Sequence, residues 1–197
     1  MGELVLIRHG ETAWTISGQH TGHTDIALTA DGESQARDLG RRLQGRRFLR
    51  SFTSPRIRAR RTAELAGLTD AQVDERLVEW DYGGYEGMTA DQIADQRGGQ
   101  WSLWADGVVP GSTPGESMQM VYDRATGLLV SLRPFLEHGD VALVAHGHIL
   151  RVIAASWLCI PGPFGANLSL SPASICVLGT ERDGPVISLW NETGKVP

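Results

Sequence analysis

The sequence predicts an α/β protein, a three-layer α/β/α sandwich around a mainly parallel central sheet, in one domain over residues 1–197. Three observations carry this. Leu4-Val5-Leu6-Ile7 and Val141-Ala142-Leu143-Val144-Ala145 are continuous apolar runs, the pattern of parallel strands buried on both faces. Segments with helical spacing alternate with strand-like ones. Both apolar runs end on a histidine turn, Arg8-His9-Gly10 and His146-Gly147-His148. Ligands of open α/β sheets bind beyond the carboxyl ends of such strands.

The elements follow in order. After the first strand, Ala36, Leu39, Gly40 and Leu43 fall at helical spacing behind Thr29, a suitable N-cap. Phe48 to Thr53 reads as a strand, and a helix that starts after Pro55 runs on through Thr62 to Leu68. Residues 82–114 are rich in Gly and Trp without steady periodicity, which predicts an insertion over the site. Val121, Ala125, Leu128, Leu129, Leu132 and Leu136 mark a long amphipathic helix closed by His138-Gly139. Ile149 to Leu158 reads as an apolar helix. Ile175 to Leu178 and Val186 to Leu189 are late strands joined by a turn at Asp183-Gly184-Pro185.

Composition narrows the function. The 197 residues are 41% hydrophobic and 21% charged, an ordinary globular balance. No apolar run approaches the roughly 18 residues that span a bilayer. The N-terminus runs into a strand without a basic leader, and Leu6 stands where a myristoylation signal needs Ser or Thr, so a cytoplasmic protein without a lipid anchor is expected. Cys159 and Cys176 are read as small buried hydrophobes. Of the 18 basic residues 17 are Arg, ten of them between Arg37 and Arg61. Such a run suits a nucleic-acid patch. The net charge of −5 and the near absence of interleaved aromatics argue against one, so no nucleic acid is expected.

The chemistry lies in Arg8-His9-Gly10 paired with His146-Gly147. A neutral imidazole can attack phosphorus and become a phosphohistidine. Phosphate oxygens then need cations and fixed donors. Arg8 stands beside His9, Arg58 approaches from the helix after Ser54-Pro55, and His146, if protonated, adds a positive donor. Two histidines without a carboxylate or cysteine at ligand spacing, next to two arginines, make a poor metal site, so neither metal nor cofactor is expected. The leaving oxygen needs a proton, for which Glu79 and Asp81 are both candidates.

These residues resemble the histidine phosphatase superfamily, also called phosphoglycerate mutase-like, over nearly the whole chain. Leu6-Ile7-Arg8-His9-Gly10-Glu11-Thr12 matches its first signature, Thr53-Ser54-Pro55 with Arg58-Ala59 and Thr62-Ala63 its phosphate-binding segment, and Val144-Ala145-His146-Gly147 its second signature. The resemblance implies His9 as nucleophile, Arg8, Arg58 and His146 around the phosphate, and Glu79, within Leu77 to Gly83, as general acid. It makes Pro114-Gly115-Glu116-Ser117 a structural turn, with Ser117 or Glu116 capping the long helix.

Where mutases carry Asn, six residues after the nucleophile, this chain has Thr15, whose hydroxyl offers fewer donors. Thr21-Gly22 matches the loop on the phosphate side. The 82–114 segment brings Arg97 as its cation, which favours hydrolysis over mutase transfer. Residues 14–22 and 79–87 are similar to the sedoheptulose-bisphosphatase-like sugar phosphatases and to the broad-specificity bacterial acid phosphatases. Gln19, His20, Tyr82 and Tyr85 suit sugar hydroxyls and ring faces. The expectation is a phosphomonoesterase acting on small phosphate esters. The alternatives are mutase-type phosphoryl transfer and a phosphoprotein-directed module. The late strands and the Trp-rich segment permit a homodimer without requiring one.

Overall fold

The computed structural model describes residues 1–182 and 184–194. Six strands form one sheet in the order β3-β2-β4-β1-β5-β6: β1 (Leu4–Arg8), β2 (Phe48–Thr53), β3 (Gln72–Val73), β4 (Asp140–Ala145), β5 (Ile175–Glu181) and β6 (Gly184–Glu192). The first four are mutually parallel, β5 runs antiparallel to β1, and β6 runs antiparallel to β5. Seven α-helices accompany them among the described residues: α1 (Ala13–Ser17), α2 (Ala30–Arg42), α3 (Ile57–Leu65), α4 (Ala90–Arg97), α5 (Leu103–Asp106), α6 (Met118–Leu136) and α7 (Gly147–Trp157). Of the turn expected at Asp183-Gly184-Pro185, Asp183 lies outside the described residues.

The apolar runs became central strands because alternate residues serve opposite layers. Leu4 and Leu6 of β1, with Val141 and Leu143 of β4, pack under α6 and α7. Val5, Ile7, Ala142 and Val144 pack against Leu39 of α2 and Ala59 and Ala63 of α3. All eight strand residues are fully buried. The helices begin where side chains satisfy their first free N–H groups. Thr29 accepts from Gly32 N, and Ser117, rather than Glu116, accepts from Met120 N.

Several expectations are corrected. The 82–114 segment is more than a cover: it contains α4 and α5, and its Tyr85, Ile93 and Leu103 enter the main core. Helix α4 lacks apolar periodicity because it buries only Ile93, and it starts instead on a Thr89/Gln92 capping box. Trp101 and Trp104 are half-buried and pack against that core. Cys176 is buried in β5, with its thiol pushed up to about 12 by burial, but Cys159 is exposed. It sits just past α7 at φ +57°, where the chain reverses out of the helix.

Five of the ten arginines between Arg37 and Arg61 pair with carboxylates among the described residues. Arg37 and Arg61 share Glu33, Arg41 and Arg42 share Asp38, Arg42 also reaches Glu192, and Arg46 bridges Glu3 and Asp140.

Candidate active site

Strands β1 and β4 pair in register up to Arg8 and Ala145, so the next residue of each, His9 and His146, leaves the same edge of the sheet. Their ring centroids lie 5.1 Å apart. His9 N donates to Ala145 O at 2.9 Å, and Ala173 N donates to His9 O at 3.0 Å, which fixes the backbone on both sides. Only a glycine fits at position 10, because a Cβ there would stand 2.5 Å from Gly32 O.

Hydrogen bonds set the protonation pattern. His9 Nδ1 lies 2.7 Å from Gly10 O. A carbonyl only accepts, so Nδ1 carries the proton and Nε2 presents its lone pair. Arg58 Nε donates to His146 Nδ1 at 3.1 Å, so His146 carries its proton on Nε2, 2.7 Å from Ser54 Oγ. The expected positive donor is therefore a neutral one. Burial, then the Arg58 guanidinium, holds the pKa of both imidazoles well below the usual histidine value.

Arg58 is fully buried and also donates to the carbonyls of Thr21, Gly22 and Thr24. It ties the 21–24 loop to His146, and neither residue forms part of the cavity wall. Arg8 does line the cavity: one guanidinium nitrogen donates to Leu170 O, and its buried Nε–H has no partner.

The cavity has a volume of about 180 Å³. Its wall brings together Arg8, His9, Thr15, Gln19, His20, Thr21, Glu79, Tyr82 and Gly147 of the expected residues. Glu79 is bound at the start of α7. Oε1 accepts from Trp80 N and Ile149 N, and Oε2 accepts from His148 N, each bond being 2.9–3.0 Å. Oε2 thus keeps a free position for a proton. Asp81 is turned away, accepting from Thr113 Oγ1, Gly83 N and Gly115 N.

Three expected contacts are spent elsewhere. Thr15 Oγ1 donates to Thr12 O and accepts from Thr12 N, closing the capping box of α1. The N–H of Gly22 is taken by Glu86 and its carbonyl by Arg58, which leaves it nothing to offer a ligand. Tyr85 is buried and accepts from Arg97, so neither faces the cavity.

Sequence reasoning missed His148 and Arg151, which project into the cavity from α7. Their i, i+3 spacing directly after the second histidine turn was the available signal. Among the described residues no three of His, Cys, Asp or Glu gather where they could hold a metal ion, and no helix is long and apolar enough to cross a membrane.

The buried imidazoles make stability depend on pH. Burial also holds His148 well below the usual value, with Arg151 the next cause. Below about pH 6.5 the unfolded chain takes up protons that the folded one refuses. The contribution of these groups is complete above that pH and is lost as the pH falls beneath it. Each adds a slope of up to about 1.4 kcal/mol per pH unit. The melting temperature of the free protein is expected to drop steeply between pH 7 and 5, and His148→Gln to flatten the drop. A flat profile in the parent would contradict neutral imidazoles.

Known proteins resemble this chain along nearly its whole length. Residues 4–193 match the family model of the histidine phosphatase superfamily (branch 1). The chain is 38% identical over 194 residues to an acid phosphatase of Mycobacterium tuberculosis, covering 97% of this chain and 93% of the other. It is 37% identical over 180 residues to a sedoheptulose 1,7-bisphosphatase of Saccharomyces cerevisiae, covering 78% and 66%. The solved structure of a functionally characterised open reading frame from Mycobacterium tuberculosis superposes with a TM-score of 0.91 at 36% identity, covering 98% and 99%. On this extent of likeness, the chain belongs to the histidine phosphatase superfamily, branch 1.

Proposed function

We propose that the protein is a phosphomonoesterase that hydrolyses small phosphorylated metabolites through a phosphohistidine on His9. The observation that carries this is the state of His9. Its Nδ1–H is committed to Gly10 O, so its Nε2 lone pair is available in a cavity that also holds the Arg8 guanidinium and the Glu79 carboxyl.

In the first step His9 Nε2 bonds to phosphorus as the ester P–O bond breaks, and Glu79 Oε2 gives its proton to the departing alcohol oxygen. The Nδ1–H bond to Gly10 O stabilises the charge that the phosphorylated ring acquires. In the second step water attacks phosphorus, Glu79 takes the proton from that water, and the P–N bond electrons return to His9. One carboxyl serves first as acid and then as base. Arg8, with its unpartnered Nε–H, meets the charge on the phosphoryl oxygens, and the buried Arg58 adds positive charge behind His146. These guanidiniums supply what a metal ion would otherwise supply, so turnover is expected to persist in EDTA.

The small cavity favours short-chain leaving groups. Arg151 stands at its edge, stacked 4.6 Å from the Trp104 ring centre and tied to the carbonyls of Gly165 and Ala166. No carboxylate pairs with it among the described residues. That favours leaving groups which are themselves anionic, sugar bisphosphates among them, in line with the sedoheptulose 1,7-bisphosphatase relative. Arg97, the cation that a mutase reading would need from the 82–114 segment, is held by Tyr85 instead.

The test is to quench the protein during turnover of p-nitrophenyl phosphate and map acid-labile phosphate by mass spectrometry. Label on the His9 peptide is expected. Turnover with no label on His9 would overturn the intermediate.

A further inference from the structure

Glu86 is not part of the cavity wall, yet its bonds lead inward to the histidine pair. Its carboxylate accepts from Gly22 N on both oxygens, at 3.0 and 2.9 Å, and from Thr24 N at 3.0 Å. Arg58 grips the same loop from the other side, donating to Thr21 O at 2.8 Å, Gly22 O at 3.3 Å and Thr24 O at 2.9 Å. The Thr21–Gly22 peptide group therefore carries a guanidinium on its carbonyl and a carboxylate on its N–H. Hydrogen bonds joined through one amide polarise and strengthen each other. Arg58 Nε then donates to His146 Nδ1 at 3.1 Å. The groups themselves fix every direction in this chain of bonds, because a guanidinium and a peptide N–H only donate, while a carboxylate and a carbonyl only accept.

Packing leaves this loop little slack. A Cβ at position 22 would stand 2.6 Å from Trp80 O and 2.9 Å from Glu86 Oε2, so the loop lies against the segment that carries Glu79. The residues after Glu86 support the start of the loop: Gly87 N donates to His20 O and His20 N to Met88 O, each at 2.9 Å, and Gln19 Nε2 donates to Gly87 O at 2.7 Å. Gln19, His20 and Thr21 in turn form part of the cavity wall. Among the described residues neither Arg58 nor Glu86 makes a direct ion pair, so the loop peptides are what join the two charges.

We propose that Glu86 is a positioning residue for phosphoryl transfer: through the Thr21–Gly22 peptide it fixes Arg58, and through Arg58 the orientation of His146 beside His9. It touches no reacting atom. This rests on the phosphatase reading above. The signature of Glu86 differs from that of Glu79. A group that protonates the leaving oxygen matters most for poor leaving groups. A group that holds the phosphoryl site in place slows every ester by the same factor.

The experiment measures kcat/KM for p-nitrophenyl phosphate and n-propyl phosphate in Glu86→Gln, Arg58→Lys and the double variant, well below the melting temperature of each. Glu86→Gln keeps one acceptor for Gly22 and Thr24 but sets its NH₂ against the Gly22 N–H. Arg58→Lys keeps the charge but not the fork of donors. Each single substitution is expected to slow both esters by roughly 10–100-fold, and to the same extent within about threefold. Both act on one chain of bonds, so the losses are not expected to multiply. In the Arg58→Lys background, Glu86→Gln is expected to cost less than about threefold more. Glu86→Asp keeps the charge and withdraws it by one methylene. It is expected to slow both esters likewise, and serves if Glu86→Gln does not fold. Losses that multiply in the double variant, parent-like rates in the Glu86 variants, or slowing confined to one ester each overturn the positioning role. Any of these, with the parent hydrolysing both esters, leaves the phosphatase reading standing. No hydrolysis of either ester by the parent removes both.

Discussion

His9→Ala is expected to lower phosphate release by about four to six orders of magnitude, with a melting temperature within a few degrees of the parent. The size follows from the chemistry, because without Nε2 there is no atom to hold the phosphoryl group between the two steps. The small stability effect follows from two opposed changes. Truncation removes packing around a buried ring, and it also removes a desolvated imidazole from beside the Arg8 and Arg58 guanidiniums. Steady-state release measured alongside thermal melts separates loss of chemistry from loss of fold. Retained hydrolysis in a folded His9→Ala protein would move the nucleophile elsewhere, with His146, its centroid 5.1 Å away, the first candidate.

Glu79→Gln is expected to slow alkyl esters by about 10²–10⁴-fold and p-nitrophenyl phosphate by less than about tenfold. An alkoxide cannot leave without a proton, whereas p-nitrophenolate can. The substitution also has a structural cost. The carboxyl accepts three backbone N–H groups on its two oxygens, and an amide must turn its NH₂ against at least one of them. A loss of about 1–3 kcal/mol of stability is expected, read as a lower melting temperature. The ratio between the two ester classes cancels that loss, since both meet the same folded population. Equal slowing of both would remove Glu79 as the acid.

Much of this could be read along the chain because the signals are local. A strand buried on both faces must be apolar at every position, and Leu4 to Ile7 and Val141 to Ala145 are. A phosphate-handling turn needs its cation, nucleophile and glycine consecutively, as in Arg8-His9-Gly10. Helix α4 went unseen because one buried residue makes no period, and Cys159 was misplaced because composition says nothing of which way a helix end turns. Glu79 could be separated from Asp81 only by resemblance. The distinction is physical, but it lies in Trp80, His148 and Ile149 on one side and Thr113 and Gly115 on the other.

The sequence by itself determined the fold class, the two histidine turns at strand ends, and the kind of chemistry that follows, while the pairing of β1 with β4 that brings those turns to one edge came from the structure. Tertiary structure alone decided which atom of each histidine carries its proton. It also decided that Arg58 braces His146 rather than walling the cavity, that Thr15 and Gly22 spend their polar groups on neighbours, and that Arg151 faces the mouth. The reason is a matter of range. Strand burial and turn composition are written in adjacent residues, whereas tautomers and donor directions are set by partners such as Arg58 and His146, 88 residues apart in the chain.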